Sequence, residues 1–212
     1  LEIEAAATAD STGRTRFGPG VLDAIRAVPR HEFVPERLRD YAYGNHPLPI
    51  GEGQTISQPY IVALMTDLLD LRPDHVVLEV GTGSGYQAAV LARLVRHVYS
   101  VEIVQILAER ASATLARLGV GNVSVRTGDG GEGWPEHAPF DGVIVTAAGA
   151  DIPPALLSQL RPNGRLVMPV DRDGFQDLLL VTKDASGEVA RRTILPVAFV
   201  PLVAVDSRSL PE

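Results

Sequence analysis

Val77-Leu78-Glu79-Val80-Gly81-Thr82-Gly83-Ser84-Gly85-Tyr86 is the passage on which the fold turns. His75–Val80 reads as a buried strand, and over Gly85–Val95 the period changes, with Ala89, Val90 and Leu94 at helical spacing. Glycines between a strand and a helix mark the carboxyl end of that strand. Open parallel sheets bind ligands there, and the backbone must approach them closely. A tight strand–helix turn with no ligand would use glycines too. The dinucleotide fingerprint requires Gly or Ala where Tyr86 stands, and no Lys-Ser/Thr pair follows, which excludes a phosphate-binding P-loop. Glu79, two residues before the first glycine, would repel a phosphate and suits a ligand that carries an ammonium and a sulfonium.

Downstream, His97–Glu102 reads as the next strand and Val104–Leu118 as a helix stopped by Gly119. Glu102 follows the first glycine by 21 residues, where an acid accepts hydrogen bonds from both ribose hydroxyls. Its alternative is a solvated charge at a helix N-terminus. Thr127-Gly128-Asp129-Gly130 follows the strand Asn122–Arg126, and Asp129 can accept from the exocyclic amine of an adenine; an ordinary turn is the alternative. Together these residues point to adenosine without phosphate, a description that S-adenosylmethionine fits. Phe140–Ala147, Arg165–Val170 and Leu178–Lys183 are strands, Pro153–Leu160 is helical, and Arg191–Leu202 is strand-like. The expected fold is α/β: a mostly parallel sheet with helices on both faces and an antiparallel hairpin at one edge.

Upstream, helical spacing over Val21–Val28 and Pro59–Leu71 flanks a stretch, Tyr43–Gln58, with little periodicity. A loop of that length in a compact chain is functional or disordered. The expected organisation is a loosely held arm over 1–16 and one domain over 17–212. That domain divides into a helical and loop gating segment (17–73) and the strand–helix core (74–212). Acids outnumber bases 26 to 19, for a net charge of −7, which argues against nucleic acid as a partner. No cysteine is present, so disulfides, thiolate zinc sites and a cysteine nucleophile are excluded. The five histidines form no metal-binding pattern, and no metal is expected. No apolar run approaches the roughly 20 residues a bilayer needs, and the acidic start lacks the basic region of a signal peptide. A cytoplasmic monomer is expected.

The remaining distinctive passage is Leu48-Pro49-Ile50-Gly51-Glu52-Gly53-Gln54-Thr55-Ile56-Ser57-Gln58-Pro59-Tyr60. With Arg30-His31-Glu32-Phe33-Val34-Pro35, Glu79–Tyr86, Gly128-Asp129-Gly130, Val145-Thr146-Ala147-Ala148 and Phe199-Val200-Pro201-Leu202, it makes the chain resemble the protein-L-isoaspartate O-methyltransferases over about Val21 to Leu202. The resemblance implies a Rossmann-like methyltransferase that repairs aged proteins. It implies S-adenosylmethionine as cofactor, S-adenosylhomocysteine as product, and isoaspartyl proteins and peptides as partners. The methylated carboxylate would close to a succinimide that reopens partly to aspartate. Ser57 matches the active-site serine, and Gln54, Thr55 and Ile56 match the cofactor-side loop. The cofactor set is then Gln54, Thr55, Ile56, Ser57, Glu79, Gly81, Gly83, Ser84, Gly85, Glu102, Asp129, Gly130 and Thr146; Thr146 alternatively only satisfies a strand end. Asp129-Gly130-Gly131-Glu132-Gly133 and Asp171-Arg172-Asp173-Gly174 are more charged than the family pattern.

A carboxylate with a pKa of about 3.9 is ionised at neutral pH and needs no general base. It needs placement about 3 Å from the methyl carbon and removal of its water. Ser57 is therefore read as a hydroxyl donor that orients the substrate carboxylate, or as a helix N-cap, or as both. An extended segment at Val197–Leu202 could pair with a peptide, giving Ser57, Val200, Pro201 and Leu202 as substrate residues; a plain edge strand is the alternative. Competing readings are methylation of one dedicated peptide, of a small molecule or RNA, and nucleoside binding without catalysis.

Overall fold

The computed structural model describes residues 1–204; the end of the expected domain, 205–212, lies outside the described residues. Helices α1 (Glu2–Ala7), α2 (Ala9–Thr12) and α3 (Pro19–Ala27) come first, followed by 3-10 turns at Arg30–Phe33 and Glu36–Tyr41. The hairpin β1 (Leu48–Gly51) and β2 (Gln54–Ile56) then leads into α4 (Pro59–Leu68). The core follows as β3 (Val76–Val80), α5 (Tyr86–Ala92), β4 (His97–Glu102), α6 (Gln105–Arg117), β5 (Val123–Thr127) and β6 (Phe140–Val145). It continues with α7 (Pro154–Ser158), β7 (Leu160–Arg172), β8 (Phe175–Lys183) and β9 (Val189–Val197).

Seven strands form one sheet in the order β5-β4-β3-β6-β7-β8-β9. The pairs from β5 to β7 are parallel, and β7-β8-β9 is antiparallel. This is the expected architecture. Strand alternation sends Val77 and Ile144 to the face covered by α4 and α5, and Leu78, Val80, Val143 and Val145 to the face covered by α7. Burial on both faces accounts for the continuous apolar runs. From β3 the chain winds outward through β4 and β5, then returns to place β6 on the other side. The crevice beyond the carboxyl ends of β3 and β6 is thus the topological switch point, where such sheets take their ligands.

Two segments differ from expectation. Residues 1–16 are not a loose arm but two short helices, α1 docked on α4 and α2 against β9. Thr8 Oγ1 and Tyr60 OH lie 2.5 Å apart, Ala5 is buried, and Asn45 donates to Glu4 and accepts from the Tyr60 N–H. The buried Asp67 pairs with Arg14 (2.9 Å) and accepts from the Gly18 N–H (2.8 Å). Helices of six and four residues cannot hold themselves by propensity, so these side-chain contacts hold them. Within Tyr43–Gln58, Leu48 pairs with Ile56 and Pro49 with Thr55. Leu48, Ile50 and Ile56 enter the core beside Phe33 and Tyr86, so the hairpin is fixed over the sheet's carboxyl end.

Candidate active site

At the switch point lies a cleft of about 850 Å³ that opens to solvent. Its floor is the glycine loop. Gly81 has φ +93°, and a Cβ there would meet Thr146 Oγ1; a Cβ on Gly130 would meet Val80 Cγ1. Both positions exclude any side chain and leave backbone facing the cleft. Glu102, buried at the end of β4, accepts from the Gly83 N–H through Oε2 (2.7 Å) and from the Val104 N–H through Oε1 (3.0 Å). It is therefore not a solvated helix-end charge. Two backbone donors aim its carboxylate, and among the described lining residues it is the only charged one. Val80, Val101, Ile103 and Leu202 supply apolar walls. One acid, no cation and apolar walls fit an adenosine with an attached sulfonium and do not fit a phosphate.

The expected cofactor residues fall into two groups. Gln54, Thr55, Gly81, Gly83, Glu102, Gly130 and Thr146 line the cleft. Glu79 does not: it is fully buried beneath the loop, where Ser100 Oγ donates to Oε2 at 2.5 Å and Thr82 Oγ1 lies 2.6 Å from Ser100 Oγ. Burial pushes its carboxyl up to about 8, against the Ser100 hydrogen bond and with help from the Glu102 charge. The expected carboxylate facing an ammonium and a sulfonium is thus a buried acid that braces the loop. Gly85 (φ +85°) sits where Ala111 and Leu115 of α6 come close, and Ser84 accepts from the Tyr86 N–H on the far side of the loop. Ile56 belongs to the core. Asp129 Oδ1 accepts from the Gly131 N–H at 2.8 Å and caps the turn that presents Gly130.

A second chamber, about 950 Å³, adjoins the first. Ser57, Gln58, Ile61 and the segment Pro196–Val200 line it, and Thr55, Thr146 and Val200 belong to both spaces. Thr146 Oγ1 donates to the Gly81 carbonyl (2.7 Å), which fixes this shared wall to the glycine loop. Its backbone-satisfying role and its site position therefore coexist. The N-cap of α4 is Gln58, with no side-chain capping bond, and no described residue hydrogen-bonds the Ser57 hydroxyl. The capping alternative for Ser57 thus fails.

A family model described as protein-L-isoaspartate(D-aspartate) O-methyltransferase matches residues 12–207. The chain belongs to this family. Protein-L-isoaspartate O-methyltransferase 2 of Syntrophobacter fumaroxidans is 60% identical over 203 residues, covering 95% of this chain and 82% of its own. The protein of the same name from Nitrosococcus oceani is 55% identical over 202 residues, covering 95% and 92%. A solved protein-L-isoaspartate O-methyltransferase superposes with a TM-score of 0.80 at 28% identity; the match covers 95% of this chain, which spans 65% of that protein's length. The chain is a methyltransferase, and S-adenosylmethionine is its methyl donor.

Within this methyltransferase the carboxyl-terminal segment departs from the expected peptide-pairing edge. Strand β9 ends at Val197, and the chain then crosses the top of the sheet. Ala148 donates its N–H to the Val200 carbonyl (2.8 Å) and accepts from the Leu202 N–H (2.7 Å). Those backbone groups are occupied, and Pro201 and Leu202 face the cofactor cleft. Of the three, only Val200 reaches the second chamber. Ile103 and Val104, directly after Glu102, line the cleft without having been anticipated. Gln58 and Phe199, inside recognised motifs but given no individual site role, line the chamber. Among the described residues, no helix is long and apolar enough to cross a membrane.

Proposed function

We propose that this chain transfers a methyl group from S-adenosylmethionine, held in the cleft, to the free carboxylate of an L-isoaspartyl residue, held in the adjoining chamber, and so starts repair of damaged proteins. The observation that carries this reading is the wall of Thr55, Thr146 and Val200 common to both spaces, with Glu102 on one side and Ser57 on the other. Glu102 is oriented to accept from ribose hydroxyls, and Gly81 and Gly130 admit the ligand against the backbone. When bound, the cofactor supplies a methyl group on a sulfonium, so that its transfer to a carboxylate leaves an ester and a thioether, both uncharged at the reacting atoms.

The chamber suits that change of charge. Among its described lining residues there is no Lys, Arg, His, Asp or Glu. The substrate carboxylate would lose water there without gaining a counter-ion, which keeps its lone pairs available. The hydroxyl of Ser57 donates one hydrogen bond to that carboxylate and turns the second oxygen toward the shared wall. No proton needs to move, because the nucleophile enters ionised. Net charge of −7 supports a peptide rather than a nucleic-acid partner, and we take the enzyme to act as a cytoplasmic monomer. The test is methyl transfer from labelled S-adenosylmethionine to matched peptides that differ only in isoaspartate or aspartate. Label on the isoaspartyl peptide alone is expected; equal labelling of both, or of neither, refutes the proposal.

A further inference from the structure

Gln176 lies outside both the cleft and the chamber, on β8, where its backbone pairs with Val197, the last residue of β9. One residue later the strand has ended, and the Gln176 side chain takes over the pairing. Its Oε1 accepts from the Phe199 N–H at 2.6 Å, and its Nε2 donates to the Phe199 carbonyl at 3.1 Å. Both backbone groups of Phe199 are thereby satisfied by one carboxamide, in the manner of a further strand. The segment 198–203 is thus held at two places: by Gln176 at Phe199, and by Ala148 at Val200 and Leu202. The first anchor serves Ala198 and Phe199, which line only the substrate chamber; the second serves Pro201 and Leu202, which line only the cofactor cleft.

We infer that Gln176 is a positioning residue for the substrate side: its carboxamide fixes the chamber wall at Ala198 and Phe199, while the cofactor side is held independently through Ala148. The inference rests on the proposed function and adds a division of labour to it. Only a side chain with one donor and one acceptor can serve both groups of Phe199. Gln176→Leu removes both bonds at similar size. Gln176→Glu, ionised at neutral pH, keeps the bond from the Phe199 N–H but sets a carboxylate oxygen against the Phe199 carbonyl.

The experiment measures the KM for an isoaspartyl peptide, the Kd for S-adenosylhomocysteine and the melting temperature, for the wild-type chain and both variants at pH 7. Gln176→Leu should raise the peptide KM by roughly tenfold, the scale of two lost hydrogen bonds. Its Kd for S-adenosylhomocysteine should stay within about threefold of wild type, since the Ala148 anchor remains. Gln176→Glu, with one bond kept and the other replaced by repulsion, should also raise the peptide KM and leave the Kd for S-adenosylhomocysteine near wild type, a split that a general loss of structure would not give. A peptide KM for Gln176→Leu equal to wild type overturns the inference. So does an equal loss of peptide and cofactor affinity, or a Gln176→Glu variant with a wild-type peptide KM. A wild-type chain that fails to methylate the isoaspartyl peptide refutes the proposed function itself, a result distinct from all three.

Discussion

Replacing Glu102 by Gln separates its two tasks. The carboxylate accepts from the Gly83 N–H at 2.7 Å and the Val104 N–H at 3.0 Å, while its remaining lone pairs face the cleft. A carboxamide can accept from one of those backbone donors, but its own N–H groups then oppose the other. In the ligand-free protein that mismatch costs about 1–2 kcal/mol, the scale of one impaired hydrogen bond. For a chain of this size the corresponding fall in melting temperature is roughly 2–8 °C. The cofactor suffers more. The carboxamide oxygen can still accept from one ribose hydroxyl, so one charge-assisted bond, roughly 1.5–3 kcal/mol, is lost. At about 1.4 kcal/mol per factor of ten, we predict a tenfold to hundredfold rise in the Kd for S-adenosylhomocysteine. Calorimetry gives the Kd directly. Thermal shift gives an independent check, because ligand at about 100 times the wild-type Kd stabilises the wild type by about 2.7 kcal/mol and a tenfold weaker variant by only about half of that. A folded Glu102→Gln variant with unchanged affinity would remove Glu102 from the cofactor site.

Further outcomes follow from neighbouring groups. Ser57→Ala should lower turnover on an isoaspartyl peptide by roughly tenfold or more, as one charge-assisted hydrogen bond is lost. It should leave the melting temperature and cofactor affinity near wild type, because Ser57 caps no helix; normal turnover would end its substrate role. For Glu79, burial raises the folded pKa to about 8 above an ordinary value of 4.5. The protonated native state is therefore favoured fully below pH 4.5, and stability declines as the pH rises through 8, at up to about 1.4 kcal/mol per pH unit. Glu79→Gln cannot ionise, so its stability relative to wild type should rise across that window and level off above it; parallel denaturation curves at pH 5 and pH 8 would contradict the assignment. Asp67→Ala removes the carboxylate that pairs with the partly exposed Arg14 and accepts from the Gly18 N–H and should cost about 1–3 kcal/mol in chemical denaturation. No change there would mean that the amino-terminal helices are not docked through Asp67.

The parallel core is readable in sequence because burial on both faces writes itself as unbroken apolar runs, as at Val76–Val80 and Phe140–Val145. The glycine loop and Glu102 are readable because backbone approach and an acid at a strand end each demand particular residues. Glu79 misleads for a reason of parity. It shares the face of Val77, which packs into the core with Leu64 and Leu91, whereas Val80 reaches the cleft. An acid one position from a motif looks the same in sequence whichever face it takes. The hairpin Leu48–Ile56 is hidden because Pro49 and three glycine-rich turn positions dilute its alternation, leaving only Leu48, Ile50 and Ile56 to mark a buried face. The amino-terminal helices are hidden because what holds them lies far away along the chain, at Asn45, Tyr60 and Asp67. The turn of the chain after Val197 depends on the Gln176 and Ala148 anchors, which are long-range pairings that no local pattern records.

A structure of the chain with S-adenosylhomocysteine and an isoaspartyl peptide bound together would show whether the two spaces serve one reaction. The sulfur is expected on the cleft side of the Thr55–Thr146–Val200 wall. The free isoaspartyl carboxylate is expected in the chamber, with one oxygen within hydrogen-bond distance of Ser57 Oγ and the other turned toward the sulfur. A peptide bound elsewhere on the surface, or a carboxylate in the chamber that makes no contact with Ser57 and points away from the sulfur, would contradict the division of the site proposed for this chain.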